Sequence, residues 1–127
     1  DMILVTSKNH RNQTLKNLIQ KINFKEVVVM GSIGCKIASI VRGESDIYIC
    51  VSLPRKSSPK DWDFAAPEAI LKSAGGNITD LDGNELSYNS KNPEQPGIIV
   101  ATNSKHNHSD ICFQLKEIIR KFSIYPL

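Results

Sequence analysis

Hydrophobic residues occur along this chain in two different periods, which predict strands that alternate with helices. Five short runs of mostly apolar and β-branched residues are typical of strands: Met2 to Val5, which should be buried, Glu26 to Met30, Asp46 to Val51, Asn77 to Leu81 and Ile98 to Ala101. Apolar residues at spacings of three and four indicate amphipathic helices near 15–22, 37–41 and 111–122. A fourth helix is indicated over 61–74 by the Asp near its start and the glycine pair just past its end. This alternation predicts an α/β fold with a layered mixed, largely parallel sheet of about five strands and helices on both faces.

Glycine and proline residues mark the expected ends of these elements. Gly43 and the pair Gly75-Gly76 follow helical segments, where a left-handed residue commonly closes the last turn. Pro67 should lie near the first turn of the third helix, because proline cannot donate the hydrogen bond of a helix interior. Asp82-Gly83 is typical of a turn, after which Glu85 to Tyr88 is expected to pair back as a minor strand.

The size and charge of the chain narrow the classes of protein to consider. A length of 127 residues predicts a single α/β domain over 1–127. The net charge of +3 is mild and the basic residues are scattered, so nothing indicates a nucleic-acid partner. Apolar runs fall far short of the roughly 20 residues that span a bilayer, so we expect neither a membrane anchor nor a signal peptide.

The three cysteines point to a reducing compartment. Cys35, Cys50 and Cys112 are widely spaced, are odd in number and form no CxxC pair. Free thiols of this kind are typical of intracellular proteins. We therefore expect a cytoplasmic location.

The densest chemical signal is the run from Trp62 to Gly76, which opens a predicted helix with a carboxylate. Asp63 would receive backbone N–H groups at the helix start, stay ionised and offer its free oxygens to a hard cation such as Mg²⁺. The alternative interpretation is that Asp63 is only a helix cap.

A second signal is the turn Gly31-Ser32-Ile33-Gly34, placed between a predicted strand and a predicted helix. Unpaired N–H groups and the helix dipole at such a position suit a phosphate. The alternative is a tight turn followed by a solvated Lys36.

Taken together, these motifs resemble the inositol monophosphatase family of Mg²⁺-dependent, lithium-sensitive phosphatases. The resemblance includes the Trp-Asp run at Asp63, the Gly-Ser turn, the segment from Arg42 to Tyr48 and the segment from Ala74 to Gly83. Within that family, Lys36, the Ser7-Lys8-Asn9-His10-Arg11 run and the Trp-Asp-x-Ala-Ala-Pro form are most similar to the 3'(2'),5'-bisphosphate nucleotidases.

The resemblance implies a set of roles for individual residues. Asp63 would be catalytic and would bind Mg²⁺, while four residues would contact the substrate: His10, Ser32, Gly34 and Lys36. The implied reaction is removal of the 3'-phosphate of adenosine 3',5'-bisphosphate, a by-product of sulfate assimilation. Ile33 and Cys50 depart from the second Ser and the Arg of many nucleotidases, so an inositol phosphate or another sugar phosphate is the alternative substrate.

The resemblance covers only the carboxyl-terminal half of the family pattern. The Asp-Pro-x-Asp-Gly-Thr loop of the amino-terminal half does not occur in this sequence. Asp80-Leu81-Asp82-Gly83 echoes that loop but follows the Gly75-Gly76 cap, so it is interpreted as a turn without metal. We therefore expect little activity from this chain alone, and association with the missing amino-terminal half or into a homodimer.

Two other interpretations are weaker. The Gly-Ser turn and its helix also fit the GxxG loop of a KH RNA-binding module, but a KH loop joins two helices rather than a strand and a helix. His106 and His108 could suggest a metal pair, yet Ser109 or Asp110 capping the last helix is the simpler interpretation.

Overall fold

A computed structural model of the chain describes residues 2–7, 13–52, 61–86 and 97–124, except for the side chains of 52 and 61–63. These residues form five strands: β1 (Ile3–Ser7), β2 (Glu26–Met30), β3 (Ile47–Ser52), β4 (Asn77–Asp80) and β5 (Gly97–Thr102). They also form four helices: α1 (Gln13–Lys21), α2 (Ile33–Val41), α3 (Asp61–Ser73) and α4 (His108–Phe122). The predicted alternation of strands and helices is confirmed.

The strands form one mixed sheet with the order β2-β1-β3-β5-β4. β1 pairs in parallel with both β2 and β3, whereas β5 pairs antiparallel with β3 and with β4. Four strands therefore run in one direction and β5 runs against them. The predicted mixed, largely parallel sheet is confirmed, with the reversed strand second from one edge.

Helices cover both faces of the sheet, and each face has its own apolar core. α1 and α4 cover one face, where Leu18 and Leu115 pack with Leu4 and Val100. α2 and α3 cover the other face, with Ile40 and Phe64 among the residues that pack there. Successive strand residues point to opposite faces, so central strands buried on both sides consist almost entirely of apolar residues.

α3 begins at Asp61, as the predicted segment 61–74 does, but its proline does not lie near the first turn. Pro67 is the seventh residue of the helix and lies inside it, so the expectation of a first-turn proline is wrong. The proline ring leaves the Asp63 carbonyl without its usual donor four residues later. The remaining turns of α3 are held by packing, because Phe64 and Leu71 are completely buried on either side of the proline.

The glycines after α2 and α3 close these helices as expected. Gly43 and Gly75 have φ angles of +79° and +84°, which glycine adopts without steric cost. Gly76 is required for a different reason. A Cβ at this position would lie 2.6 Å from the Thr102 carbonyl oxygen and 2.5 Å from Leu71 Cδ1, so only hydrogen fits between α3 and β5.

Two local predictions differ from the structure. Glu85 forms a single bridge with Thr79, and no strand follows it as far as 86; residues 87 and 88 lie outside the described residues. The cap of α4 is Asn107, whose side chain accepts a hydrogen bond from the Asp110 N–H, so Ser109 and Asp110 are not the cap. The reason is that α4 already begins at His108, which places Ser109 and Asp110 inside the first turn.

Candidate functional site

The residues predicted to bind substrate and metal follow three neighbouring parallel strands. His10 comes after β1, the turn at Ser32 comes after β2, and the start of α3 with Asp63 comes after β3. β1 lies between β2 and β3 in the sheet. Because parallel strands end at the same edge, these connections start from one edge, which is where ligands bind in open α/β sheets.

The side chains of two of these predicted residues lie outside the described part of the structure. His10 lies outside the described residues. Asp63 occupies the first turn of α3 by its backbone, and its side chain is outside the described part. Their predicted roles in substrate and metal binding therefore stay predictions.

Ser32 is the N-cap of α2. Its Oγ accepts a hydrogen bond from the Cys35 N–H at 3.0 Å, and its carbonyl accepts from the Lys36 N–H at 3.1 Å. The first N–H groups of a helix have no partner within the helix, so those of Ile33 and Gly34 are available at this end of α2. The aligned peptide dipoles of α2 also give its amino end a partial positive charge.

Gly34 is exposed at this helix start, and its lack of a side chain is not explained by crowding. A Cβ would meet one atom within 4 Å, Ser32 Oγ at 3.9 Å. An open groove of about 450 Å³ passes Gly34 and is lined by Met30, Gly31, Gly34, Cys35, Ala38 and Arg42. The backbone of the turn is thus accessible to a molecule that approaches from the solvent.

Lys36 is buried, so the interpretation as a solvated lysine is wrong. Only 1% of its surface is exposed. Its Nζ donates to Ser7 Oγ at 2.9 Å and to the Gly31 carbonyl at 3.3 Å, and it lies 5.2 Å from the centre of the Tyr48 ring. The ammonium group therefore sits where the ends of β1 and β2 meet the start of α2.

Within the part of the chain that the structure describes, no acidic side chain forms an ion pair with Lys36. Burial lowers the pKa of its ammonium group from the ordinary value, while the nearby thiols of Cys50 and Cys35 act in the opposite direction. A buried cation whose described hydrogen-bond acceptors are both neutral is a favourable place for an added anion.

A complete metal site is not formed by the described residues. Across 2–7, 13–52, 61–86 and 97–124, no group of three or more His, Cys, Asp or Glu side chains could hold a metal ion. Asp63 is one carboxylate, and Mg²⁺ requires a set of oxygen ligands. Asp80 is occupied within its own turn, where its Oδ1 accepts from the N–H groups of Asp82 and Asn84, which confirms that this segment is a turn.

The two histidines near α4 do not form a metal pair. His106 Nε2 bonds Asp46 Oδ1 at 2.9 Å, whereas His108 is buried between Thr79 and Thr102. Burial would raise the pKa of Asp46, but the hydrogen bonds from His106 and from the Ile3 N–H outweigh burial and lower it. Each imidazole is thus held by its own partners. His106 lies beside Asp46 at the start of β3, away from the strand ends that lead into the candidate site.

The sequence motif from Ser7 to Arg11 includes Ser7, but sequence reasoning gave it no role of its own. Ser7 is the last residue of β1, and it faces Lys36 because its strand partner is Met30, directly before the Gly-Ser turn. The available signal was a hydroxyl residue at the end of a central strand. The contact itself joins positions 29 residues apart, and the pairing register that creates it is not evident from the sequence.

No helix in the described residues has both the length and the apolar composition needed to cross a membrane.

Solved structures that superimpose on this fold include inositol monophosphatases. The inositol monophosphate-bound SaIMPase-II superimposes with a TM-score of 0.71 at 22% identity, covering 98% of this chain and 45% of that chain. The Thermotoga maritima IMPase gives a TM-score of 0.68 at 19% identity, covering 95% and 42%. The five-stranded mixed sheet with its four helices matches the carboxyl-terminal part of these structures.

Sequence comparison identifies the family. The profile of the inositol monophosphatase family matches residues 2–120, and the chain belongs to that family. Mouse 3'(2'),5'-bisphosphate nucleotidase 1 is 35% identical over 101 residues, which cover 78% of this chain and 32% of the relative. The Dictyostelium discoideum 3'(2'),5'-bisphosphate nucleotidase 1 is 28% identical over 119 residues, covering 91% and 37%. The chain thus spans about a third of the length of the curated relatives it matches.

Proposed function

We propose that this chain is the carboxyl-terminal α/β domain of a Mg²⁺-dependent phosphomonoesterase that removes the 3'-phosphate of adenosine 3',5'-bisphosphate. The observation that carries the proposal is the buried ammonium group of Lys36 beside the open amino end of α2. A cation and a helix start that face the same strand ends are a common arrangement for binding phosphate.

The proposal assigns each site residue a task. Lys36 supplies positive charge, and the N–H groups of the turn from Ser32 to Gly34 bind phosphate oxygens. Ser32 keeps the turn in place through its bond to the Cys35 N–H. His10 holds the nucleotide, and Asp63 is the carboxylate that this chain contributes to Mg²⁺ binding. When bound, the metal would polarise the phosphate and lower the pKa of the attacking water.

Support for a nucleotide substrate comes from the named relatives. The mouse protein at 35% identity is a bisphosphate nucleotidase, and so is a Buchnera aphidicola protein that is 38% identical over 86 residues. Sulfate assimilation is the process in which such a substrate arises. We assign the reaction to sulfate assimilation because of these relatives and because of the buried Lys36.

Inositol phosphates or other sugar phosphates are the second candidate class of substrate. Ile33 stands in the turn where many nucleotidases have a second Ser, and Cys50 stands near the place of their Arg. Both changes remove a polar group, and the fold also matches a structure with inositol monophosphate bound. The phosphate end of the site is the same in either case, so the two classes differ only in what surrounds the rest of the substrate.

The remaining ligands for the metal would come from the part of a complete family enzyme that this chain does not contain. We therefore infer that the chain alone has little or no activity and that its partner is an amino-terminal half of the same family, or a second copy of the chain. The domain boundary at 1–127 and the cytoplasmic location belong to the same proposal.

The test is phosphate release with Mg²⁺ from adenosine 3',5'-bisphosphate and from inositol 1-phosphate. The chain is assayed alone and after mixing with an amino-terminal half from a bisphosphate nucleotidase. We expect release from the nucleotide by the mixture and none by the chain alone. Release from inositol 1-phosphate alone would overturn the nucleotide assignment, and strong release by the isolated chain would overturn the account of the missing ligands.

Variants make the residue assignments testable in the same assay. Asp63→Asn in the active mixture should lower turnover by at least about 100-fold, because loss of a metal-binding carboxylate removes charge stabilisation in the transition state. Asp110→Asn is the matched control, because Asp110 is an exposed carboxylate in the first turn of α4. Equal turnover of the two variants would reject the role of Asp63.

A further inference from the structure

The carboxyl ends of α1 and α4 meet at an exposed phenylalanine ring that contacts two lysines. Phe122 is the last residue of α4, and 45% of its surface is exposed. Lys21 Nζ, from the last turn of α1, lies 4.6 Å from the centre of this ring, and Lys121 Nζ lies 5.4 Å from it. We propose that these three residues, the Phe122 patch, bind an acidic segment of a partner protein.

The way α4 ends explains why the ring lies outside the core. Ser123 has a left-handed backbone with a φ angle of +50°, and its N–H donates to the Arg120 carbonyl at 3.3 Å. The Ile124 N–H donates to the Ile119 carbonyl at 3.1 Å, which closes the helix as a Schellman motif. This turn brings Ile124 back onto the core under α1 and α4. Phe122 is left on the surface, where it is free to contact another molecule.

The positive charge at the patch is not balanced by nearby acidic residues. Residues 13–25 contain three lysines and residues 118–127 contain an arginine and a lysine, and neither segment contains Asp or Glu. Among the described ion pairs, none includes Lys21 or Lys121. The helix dipole favours a lysine in the last turn of each helix, but it does not explain an exposed ring that contacts both lysines.

The arrangement of the patch favours an acidic segment over other occupants. Both ammonium groups lie over the ring, so a nucleobase would have to displace them in order to stack there. A symmetric dimer centred on the patch would bring the same positive charges against each other. An acidic segment meets neither obstacle, because its carboxylates can pair with Lys21 and Lys121 while a neighbouring apolar side chain packs on Phe122.

The ring also prepares the two lysines for binding. Free lysine side chains have several rotatable bonds, and ordering them for a partner costs conformational entropy. Contact with the face of an aromatic ring restrains an ammonium group through the cation–π interaction. Because Phe122 holds Lys21 and Lys121 close together beforehand, less entropy is lost when both pair with carboxylates.

The test measures binding of a fluorescent peptide of repeated Glu-Leu-Glu units to the full chain by anisotropy. The NMR signals of the Phe122 ring are the site-specific readout, and the same peptide with Gln in place of Glu is the neutral comparison. We expect the acidic peptide to bind, to shift the Phe122 signals and to bind more weakly as the salt concentration rises. The neutral peptide should neither bind nor shift these signals.

Variants with matched charge show whether the patch itself is responsible. Lys21→Gln combined with Lys121→Gln should weaken binding of the acidic peptide by about tenfold. Lys16→Gln combined with Lys105→Gln is the control, because it removes the same charge from two exposed lysines that are not among the described contacts of the ring. This control should retain affinity to within about twofold. Phe122→Ala should weaken binding by about threefold, because the lysines lose the ring that restrains them.

The outcomes distinguish the acidic segment from other partners. Equal weakening in the two double variants would mean that only net charge matters, and it would overturn the patch. Binding of oligothymidylate or of phosphatidylserine vesicles that depends on Lys21 and Lys121, without binding of the peptide, would replace the acidic segment by a nucleic acid or a membrane. Absence of both peptide binding and Phe122 shifts would also overturn the proposal. The proposed function is unaffected by these results, because the Phe122 patch shares no residue with the candidate site.

Discussion

At the scale of single residues, both ring nitrogens of the buried His108 have a hydrogen-bond partner. Its Nδ1 lies 2.8 Å from Thr102 Oγ1 and its Nε2 lies 2.7 Å from Thr79 Oγ1. Thr79 uses its only hydroxyl proton on the Asp80 carbonyl, so it must accept from the imidazole. Nε2 therefore carries the proton, and Nδ1 accepts from Thr102. The ring is neutral and joins β4, β5 and α4.

Acid should destabilise the protein through His108. Burial lowers the pKa of His108, so the folded state binds its proton less readily than the unfolded state does. The contribution is complete above the unfolded pKa of about 6.5 and is lost as pH falls from there towards the folded pKa. We expect the free energy of unfolding, measured with urea, to fall between pH 7.5 and 5.5 by at most about 1.4 kcal/mol per pH unit from this one group.

The control for this prediction is the neighbouring imidazole. His108→Gln should lower stability at pH 7.5 and flatten the pH dependence over this interval. His106→Gln should retain the dependence that His108 causes, because His106 bonds Asp46 rather than the threonines. A pH dependence that is the same with and without His108 would contradict the account.

Residue types in the site were predictable from the sequence, but their environments were not. The sequence motif puts Lys36 near the start of the helix that follows the Gly-Ser turn, and the structure has it there. The burial of Lys36 depends on its contacts with Ser7 of β1 and Tyr48 of β3. A contact of that kind follows from strand order and register, which the local sequence pattern does not determine.

At the scale of elements, the start of a helix depends on which polar side chain accepts a hydrogen bond from its free N–H groups. Asn107 precedes α4 in an extended conformation and bonds the Asp110 N–H at 3.0 Å. Ser32 does the same for α2. Three of the four residues at 107–110, namely Asn107, Ser109 and Asp110, have capping propensity, so the sequence could predict the presence of a cap but not which residue provides it.

Removing the cap of α4 should have a measurable cost. Asn107→Ala is expected to lower the free energy of unfolding by about 1 kcal/mol, because it leaves a backbone N–H of the first turn without its side-chain acceptor. Ser109→Ala, inside the first turn and exposed, should change stability by less than about 0.5 kcal/mol. Urea unfolding of both variants at pH 7.5 checks this, and equal costs would show that Asn107 is not the cap.

The strands and helices themselves were largely predictable, because buried central strands and amphipathic helices have distinct apolar periods. β2 also has the bounds Glu26–Met30 that its run of valines indicates, although it is an edge strand whose Val27 and Val29 are exposed. The direction of β5 was not predictable, because an antiparallel central strand buried on both faces has the same composition as a parallel one.

At the scale of the whole molecule, the two cores enclose different cysteines. Cys112 belongs to the core under α1 and α4, and Cys50 belongs to the core under α2 and α3. Cys35 is exposed near the start of α2. Burial also raises the pKa of the Cys112 thiol, which keeps it in its unreactive protonated form.

Thiol reactivity therefore reports whether both cores are intact. In the native chain, one of the three thiols should react rapidly with a disulfide reagent, and all three should react in denaturant. The Cys35→Ser variant should show no rapid phase. Rapid reaction of two or three thiols in the native chain would contradict the two-core arrangement.

The position of β5 between β3 and β4 has a consequence for how the chain acquires its structure during synthesis. β1, β2 and β3 can assemble as soon as they emerge, but among the described strands β4 pairs with β5 alone, and β5 comes later in the sequence. The pairing of β3 with β5 likewise joins segments about 50 residues apart, which is costly in loop-closure entropy. A nascent chain therefore exposes the apolar edge of β3 until residue 102 has left the ribosome, and this interval is when a chaperone would be most useful to it.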